Sequence, residues 1–206
     1  MQDGPHLIAP IMDVSRETIE RLRTFEDLLR RWQRKTNLVG TDTLDRFWQQ
    51  HVGDAAFLYA HGREVAAWTD IGAGAGLPGL VIALLAAGDG HEVSVDLVES
   101  NGKKCAFQRA AVLETGLRGG SVAVQVHNCR IEAYRAREGS VLTARALAPL
   151  TDLIRHLRSL GLSRGLFLKG ERHDEEIEGA RAKHAFAVGV HPHPLRFGSA
   201  LLEVRL

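Results

Sequence analysis

Apolar positions change their period part-way along the chain. Between Val14 and Trp32 they recur three and four residues apart. Ile19, Leu22, Phe25, Leu28, Leu29 and Trp32 make one stripe, and Arg21, Arg23, Arg30, Arg31, Arg34 and Lys35 fall off it. That spacing predicts an amphipathic helix with a basic outer face. Ser15 stands where a cap is needed, and Val14 can pack on Ile19 across it. Residues 1–13 carry Pro5 and Pro10 and read as an irregular lead-in. After Asn37-Leu38-Val39-Gly40, a second helix is expected from Thr43 to Tyr59, with Leu44, Phe47, Trp48, Val52, Ala55 and Leu58 on one face. His51 shares that face and reads as a packed core histidine. Asp54, three residues on, lies within its reach along the helix.

From Val65 the pattern changes to short apolar or alternating runs separated by helical ones. Strands are expected over 65–71, 92–98, 121–127, 140–144 and 165–169. Helices are expected over 78–87, 101–115 and 150–160, with another beginning in the acidic stretch Glu171 to Glu178. Runs near 185–191 and 199–206 flank Pro192 and Pro194 and predict a final antiparallel hairpin. Strand and helix in alternation imply an α/β doubly wound parallel sheet, covered on both faces. The expected organisation is a helical extension, 1–64, followed by an α/β domain, 65–206. Residues 60–64 serve as the link.

Composition narrows the class. A chain of 206 residues is long enough for one sizeable core. Its formal net charge of +1 gives no global basic field, so any nucleic acid must be held by a local patch. Cys105 and Cys129 are the only cysteines, which excludes a disulfide scaffold and fits a reducing compartment. No apolar run reaches membrane-spanning length, and the N-terminus lacks the features of a signal peptide. A cytoplasmic protein is expected.

Chemistry concentrates at Asp70-Ile71-Gly72-Ala73-Gly74-Ala75-Gly76-Leu77-Pro78-Gly79. A glycine turn between a buried strand and a helix N-terminus offers free N–H groups to a ligand. Glu99 follows at the end of the next strand, about 20 residues on, where an acid can accept both hydroxyls of a ribose. Counted from Gly72, the third glycine of the dinucleotide fingerprint falls at Leu77. That favours a nucleoside ligand without a pyrophosphate. S-adenosylmethionine (SAM) has that chemistry, and the stretch resembles motif I of SAM-dependent methyltransferases.

Further pieces occur in order: Trp32 with Lys35-Thr36-Asn37-Leu38; His51-Val52-Gly53-Asp54; Arg130-Ile131-Glu132; Thr143-Ala144-Arg145-Ala146; and Leu168-Lys169-Gly170. Together with the glycine loop they resemble the RsmG, or GidB, family, bacterial methyltransferases of guanine N7 in 16S ribosomal RNA. The resemblance runs over roughly residues 25–206. It implies a Rossmann-like class I fold with N-terminal helices, whose mostly parallel seven-stranded sheet has its last strand antiparallel. It implies a guanosine acceptor in the decoding region. By the same resemblance, Gly72, Gly74, Gly76 and Leu77 surround the methionine and ribose of SAM. Glu99 is the ribose acid, where the family often has Asp. Ile131 and Glu132 flank the adenine, and Arg145 is the catalytic-face residue, on the cofactor or substrate side. The chain departs from the family at Asp54-Ala55, where Asp-Ser is usual, and it has no strongly basic tail.

Guanine N7 carries an in-plane lone pair and no proton, so its methylation needs no general base. No Ser/His/Asp triad or cysteine nucleophile is therefore expected. Cys105 reads as packing, and Cys129 as incidental. The candidate RNA contacts are Arg30, Arg31, Arg34, Lys35, Lys103, Lys104, Arg145 and Lys169. His191 and His193, in His-Pro-His-Pro, lack the partners of a zinc site and read as a proline turn; no metal is expected. Without an exposed heptad seam, a monomer is expected, acting on the small subunit or an assembly intermediate. The competing readings are a nicotinamide-dependent oxidoreductase, a methyltransferase of a small molecule or protein, and a non-catalytic RNA-binding protein.

Overall fold

The computed structural model describes residues 3–206. Among these residues are seven strands: β1 (Ala67–Ile71), β2 (Val93–Glu99), β3 (Val122–Asn128), β4 (Val141–Ala144), β5 (Arg164–Lys169), β6 (Ala187–Pro192) and β7 (Ala200–Arg205). They form one sheet in the order β3-β2-β1-β4-β5-β7-β6. Strands β1 to β5 pair in parallel, and β7 is antiparallel to both β5 and β6. The expected α/β sheet and its closing hairpin are both present. The chain winds outward from β1 to β3 and then returns to β4 on the other side of β1. Between the carboxyl ends of β1 and β4 the winding reverses, which opens a crevice there.

Strand side chains alternate between two cores, as the two-residue period requires. Leu166 and Leu168 of β5 enter one core, and Phe167 enters the other. The larger core lies under α1 (Arg16–Gln33), α3 (Gly53–His61), α4 (Gly79–Gly88) and α5 (Gly102–Glu114). The smaller lies under α6 (Leu150–Ser159) and α7 (His173–Arg181). Leu22, Phe25, Leu28 and Leu29 of α1 share one continuous core with Leu80, Leu84 and Phe107. Ser15 caps α1 as expected, its hydroxyl accepting from the Thr18 amide at 3.1 Å. No helix of the described residues is long and apolar enough to cross a membrane.

The second helix departs from expectation. In place of one helix over 43–59 there are a short turn, α2 (Thr41–Leu44), a π-helical segment (Phe47–Val52) and α3. The cause lies outside the segment. The Asp3 carboxylate accepts from the backbone amides of Trp48, at 2.8 Å, and Gln49, at 2.9 Å. Two donors that a continuing helix would use internally are thus satisfied from the lead-in. The wider π turn buries Phe47, Trp48, His51 and Val52 together. The lead-in itself contains a single 3₁₀ turn, Pro5–Ile8, anchored by buried Ile8.

Helix α4 starts hard against the sheet. A Cβ on Gly79 would lie 2.4 Å from Leu97 Cδ2 and 2.9 Å from Asp70 Oδ2. Overpacking of that kind costs about 1–3 kcal/mol. Gly79→Ala should therefore lower the free energy of urea unfolding by about 2 kcal/mol. Gly179→Ala, in α7 with open space around it, should leave stability unchanged or raise it. Equal effects of the two variants would contradict the close α4–sheet contact.

Candidate active site

A cleft of about 510 Å³ opens at the carboxyl ends of β1, β2 and β4. Gly72, Gly74, Leu77, Glu99, Ile131, Glu132 and Arg145 all line it, and these are seven of the eight expected cofactor residues. Gly76 does not line it. A Cβ there would lie 2.3 Å from Leu80 Cδ1, so this glycine lets the loop fold onto α4. The walls also include Leu38, Val39 and Gly40, from the segment after α1, and Leu147, whose side chain sits over Gly72.

The glycine loop is held from three sides. Ala73 donates its amide to the Val98 carbonyl at 3.1 Å. Glu99 Oε2 accepts from the Gly74 amide at 2.9 Å, and Oε1 accepts from the Asn101 amide at 2.7 Å. The Gln108 side-chain amide donates to the Gly74 carbonyl at 2.9 Å. Gly74 itself has φ 56°, a conformation that a side chain would strain. Each Glu99 oxygen keeps a second lone pair beyond these bonds. Gln108 is a site residue that sequence reasoning missed. It sits mid-helix in α5, with no spacing to mark it. Cys105 is buried, its thiol directed at the Glu99 carbonyl at 3.2 Å, which agrees with a packing role.

Asp70 is fully buried beneath the loop. Its Oδ2 accepts from the Gly79 amide at 2.9 Å, and Oδ1 has no partner among the described residues. Burial pushes its carboxyl up to about 7, against the pull of the Gly79 amide and of Arg145.

Arg145 occupies the far wall and donates to Nδ1 of His51. An arginine can only donate, so His51 accepts at Nδ1 and carries its proton on Nε2. Burial first, and then Arg145 and Arg196, lower the His51 pKa to about 3. His51 is thus the packed core histidine expected, but its partner is not Asp54. The Asp54 carboxylate instead takes Arg196 on both oxygens, each at 2.7 Å. His193 Nε2 lies 3.4 Å from the same carboxylate. The His-Pro-His-Pro turn therefore contributes a buried imidazole to this cluster, and among the described residues no group of three potential ligands could hold a metal ion. Ala146, next to Arg145, is the one non-glycine described residue with positive φ, at 51°. Backbone strain of this sort gathers at functional positions.

The basic residues expected to meet RNA are dispersed. Lys104 lines the cleft, and Lys103 stands exposed beside it. Lys169 is largely buried, donating to the Ala148 carbonyl at 2.7 Å and pairing with Glu176 at 2.8 Å. Arg30, Arg31 and Arg34 line a separate shallow groove along α1. Arg30 is paired with Glu26 and Arg31 with Glu114, and Lys35 is exposed at the end of the helix.

Comparison with known proteins bears on this cleft directly. The family model "rRNA small subunit methyltransferase G" (GidB) matches residues 18–198. The chain belongs to that family. A Ruegeria protein named ribosomal RNA small subunit methyltransferase G is 37% identical over 198 residues, covering 94% of this chain and 93% of its own. Its Hyphomonas neptunium counterpart is 41% identical, covering 94% and 90%. Among solved structures, magnesium protoporphyrin IX methyltransferase from Synechocystis with bound SAM superposes with a TM-score of 0.59 at 18% identity, over 94% of this chain and 98% of that one. A methyltransferase from Geobacter sulfurreducens gives 0.57 at 14% identity, over 91% and 88%. Those two likenesses establish the class I methyltransferase fold. Membership in the GidB family makes the chain a SAM-dependent methyltransferase of small-subunit ribosomal RNA. The glycine count does not decide this. Counted from Gly74, the loop does spell G-x-G-x-x-G, and Gly79 serves the helix–strand packing of a third glycine.

The neutral His51 has a consequence for stability. Its pKa falls from 6.5 to about 3 on folding, so below pH 6.5 the unfolded chain takes up a proton that the fold refuses. Its contribution therefore rises with pH across that window and is complete above it. His51→Asn keeps an acceptor for Arg145 and removes the titration. Urea unfolding at about pH 5 and about pH 7.5 should show the wild type losing more stability at the lower pH than the variant. Equal losses would contradict a neutral buried imidazole.

Proposed function

We propose that this chain transfers the methyl group of SAM to N7 of a guanosine in the decoding region of 16S ribosomal RNA. The observation that carries the reading is Glu99, fixed by two backbone amides on the wall of the cleft, beside the glycine loop. Its remaining lone pairs suit the two hydroxyls of a ribose. Ile131 and Glu132 would flank the adenine of SAM, and Gly72, Gly74 and Leu77 its methionine portion; all five line the cleft. SAM supplies an electrophilic methyl on a positively charged sulfur.

The acceptor nitrogen needs no deprotonation. Its in-plane lone pair would meet that methyl directly, so no residue here has to take up a proton. The residues then have two tasks, alignment and exclusion of water. Arg145, at the edge of the cleft, orients the reacting side. His51 holds that guanidinium through Nδ1, so its lone pair is occupied and it abstracts no proton. Lys103, Lys104 and the basic side of α1 hold the RNA, with residues 1–64 as a helical extension of the catalytic domain 65–206. The chain works as a monomer in the cytoplasm, on the small subunit or on an assembly intermediate.

The test is transfer of labelled methyl from SAM to small subunits from cells lacking this protein, followed by nucleoside analysis. N7-methylguanosine should appear in the ribosomal RNA. Glu99→Ala should cut the rate at limiting SAM by at least about tenfold, the worth of one lost charged hydrogen bond. Label on another atom, or on protein, would overturn the acceptor.

A further inference from the structure

The turn joining β6 to β7 is fastened to the rest of the molecule on its inner side. Arg196 grips Asp54 with both of its bonds at 2.7 Å. The His193 side chain is fully buried, and its Nδ1 accepts from the Leu195 amide at 3.1 Å. A Cβ on Gly53 would lie 2.9 Å from Leu195 Cδ1, so Leu195 rests on the start of α3. A Cβ on Gly198 would lie 2.5 Å from Glu171 Cγ, so the far end of the turn abuts the loop after β5. In the middle stands Phe197, with a relative exposure of 101%.

A lone exposed apolar residue is ordinary. This one is distinguished by its place. The strand β6 runs parallel to β1–β5, so the turn lies at the carboxyl end of the sheet, with the cofactor cleft. A second cleft of about 270 Å³, lined by Asp54, Arg145, Lys169 and Arg196, shares Arg145 and Ala146 with the first. Phe197 adjoins it through Arg196. Two of the three cations lining this second cleft are matched by acids, Arg196 by Asp54 and Lys169 by Glu176, and the third, Arg145, donates to His51. On the side of the turn, a phosphate backbone would find the one nearby cation, Arg196, already paired, whereas a nucleobase would find a free ring. Phe197 is the one large apolar side chain of the turn that stands exposed, Leu195 being half-buried against α3, so the turn offers one aromatic face.

We propose that Phe197 is a stacking platform for an unpaired nucleobase of the ribosomal RNA, next to the target guanosine. This rests on the ribosomal RNA being the acceptor. Single-stranded bases are commonly held on aromatic side chains, and here the fastened turn holds the backbone that presents the ring. Arg196 is a positioning residue, acting through the turn.

The experiment compares Phe197→Ala, Phe197→Trp and Phe197→Leu on the full chain, with small subunits as acceptor. Phe197→Ala should raise the KM for subunits about tenfold. Phe197→Trp should restore it, and Phe197→Leu should not. SAM affinity, measured by calorimetry, should be the same in all four proteins. Wild-type kinetics in Phe197→Ala would overturn the stacking role. Full rescue by Phe197→Leu would overturn it too, in favour of an apolar contact with a protein. If the wild-type chain methylates no ribosomal RNA, the acceptor assignment fails first, and the two failures are told apart by that control.

Discussion

One carboxylate joins the two halves of the candidate cleft. Glu99 ends β2, and Gly74 sits in the loop that leaves β1. The strands pair in register, Ile71 beside Val98, so the loop and the acid emerge side by side. The Gly74 amide then has an acceptor that neither strand nor helix could supply, and the Asn101 amide at the start of α5 shares the same group. Charged hydrogen bonds of this type are the stronger ones. With Gln108 on the Gly74 carbonyl, the loop is fixed in a left-handed conformation before any ligand arrives. From there the Gly76 and Leu77 amides turn back to the Ala73 carbonyl, and the Gly79 amide on Asp70 sets the start of α4.

Beneath that loop runs a set of polar groups in costly places. Among the described residues one oxygen of Asp70 has no partner, His51 gives up its charge, and Asp54 is buried in its pair with Arg196. Such groups add little to stability compared with apolar packing of the same volume. Their value lies in geometry: they tie the π-helical segment, the end of β4 and the β6–β7 turn to one another around Arg145. The apolar cores on either side supply the stability that this arrangement does not.

The strands and most helices were legible because their signal is local. Alternation marked β3, the three-and-four spacing marked α1, and the glycine loop followed by an acid marked the cleft. What escaped had partners far away in sequence. The break in the second helix depends on Asp3, some 45 residues earlier. Asp54 was within reach of His51 by spacing, yet it turned to Arg196, 142 residues on, because a guanidinium brings a positive charge to a buried carboxylate where a neutral imidazole brings only one uncharged N–H. Lys169 stood at a strand end, where a free cation was expected. Helix α7 folds back so that Glu176 meets it. Gln108 gave no signal at all, since a glutamine in an amphipathic helix is usually on the surface.

The most direct measurement is the affinity of the wild type and of Glu99→Ala for S-adenosylhomocysteine and for its analogue lacking both ribose hydroxyls, by calorimetry on folded protein. If Glu99 holds the ribose as well as the loop, the wild type prefers the natural compound by about tenfold or more, and the variant binds the two alike. The same preference in both proteins would contradict it, leaving Glu99 as a brace for the loop and nothing else.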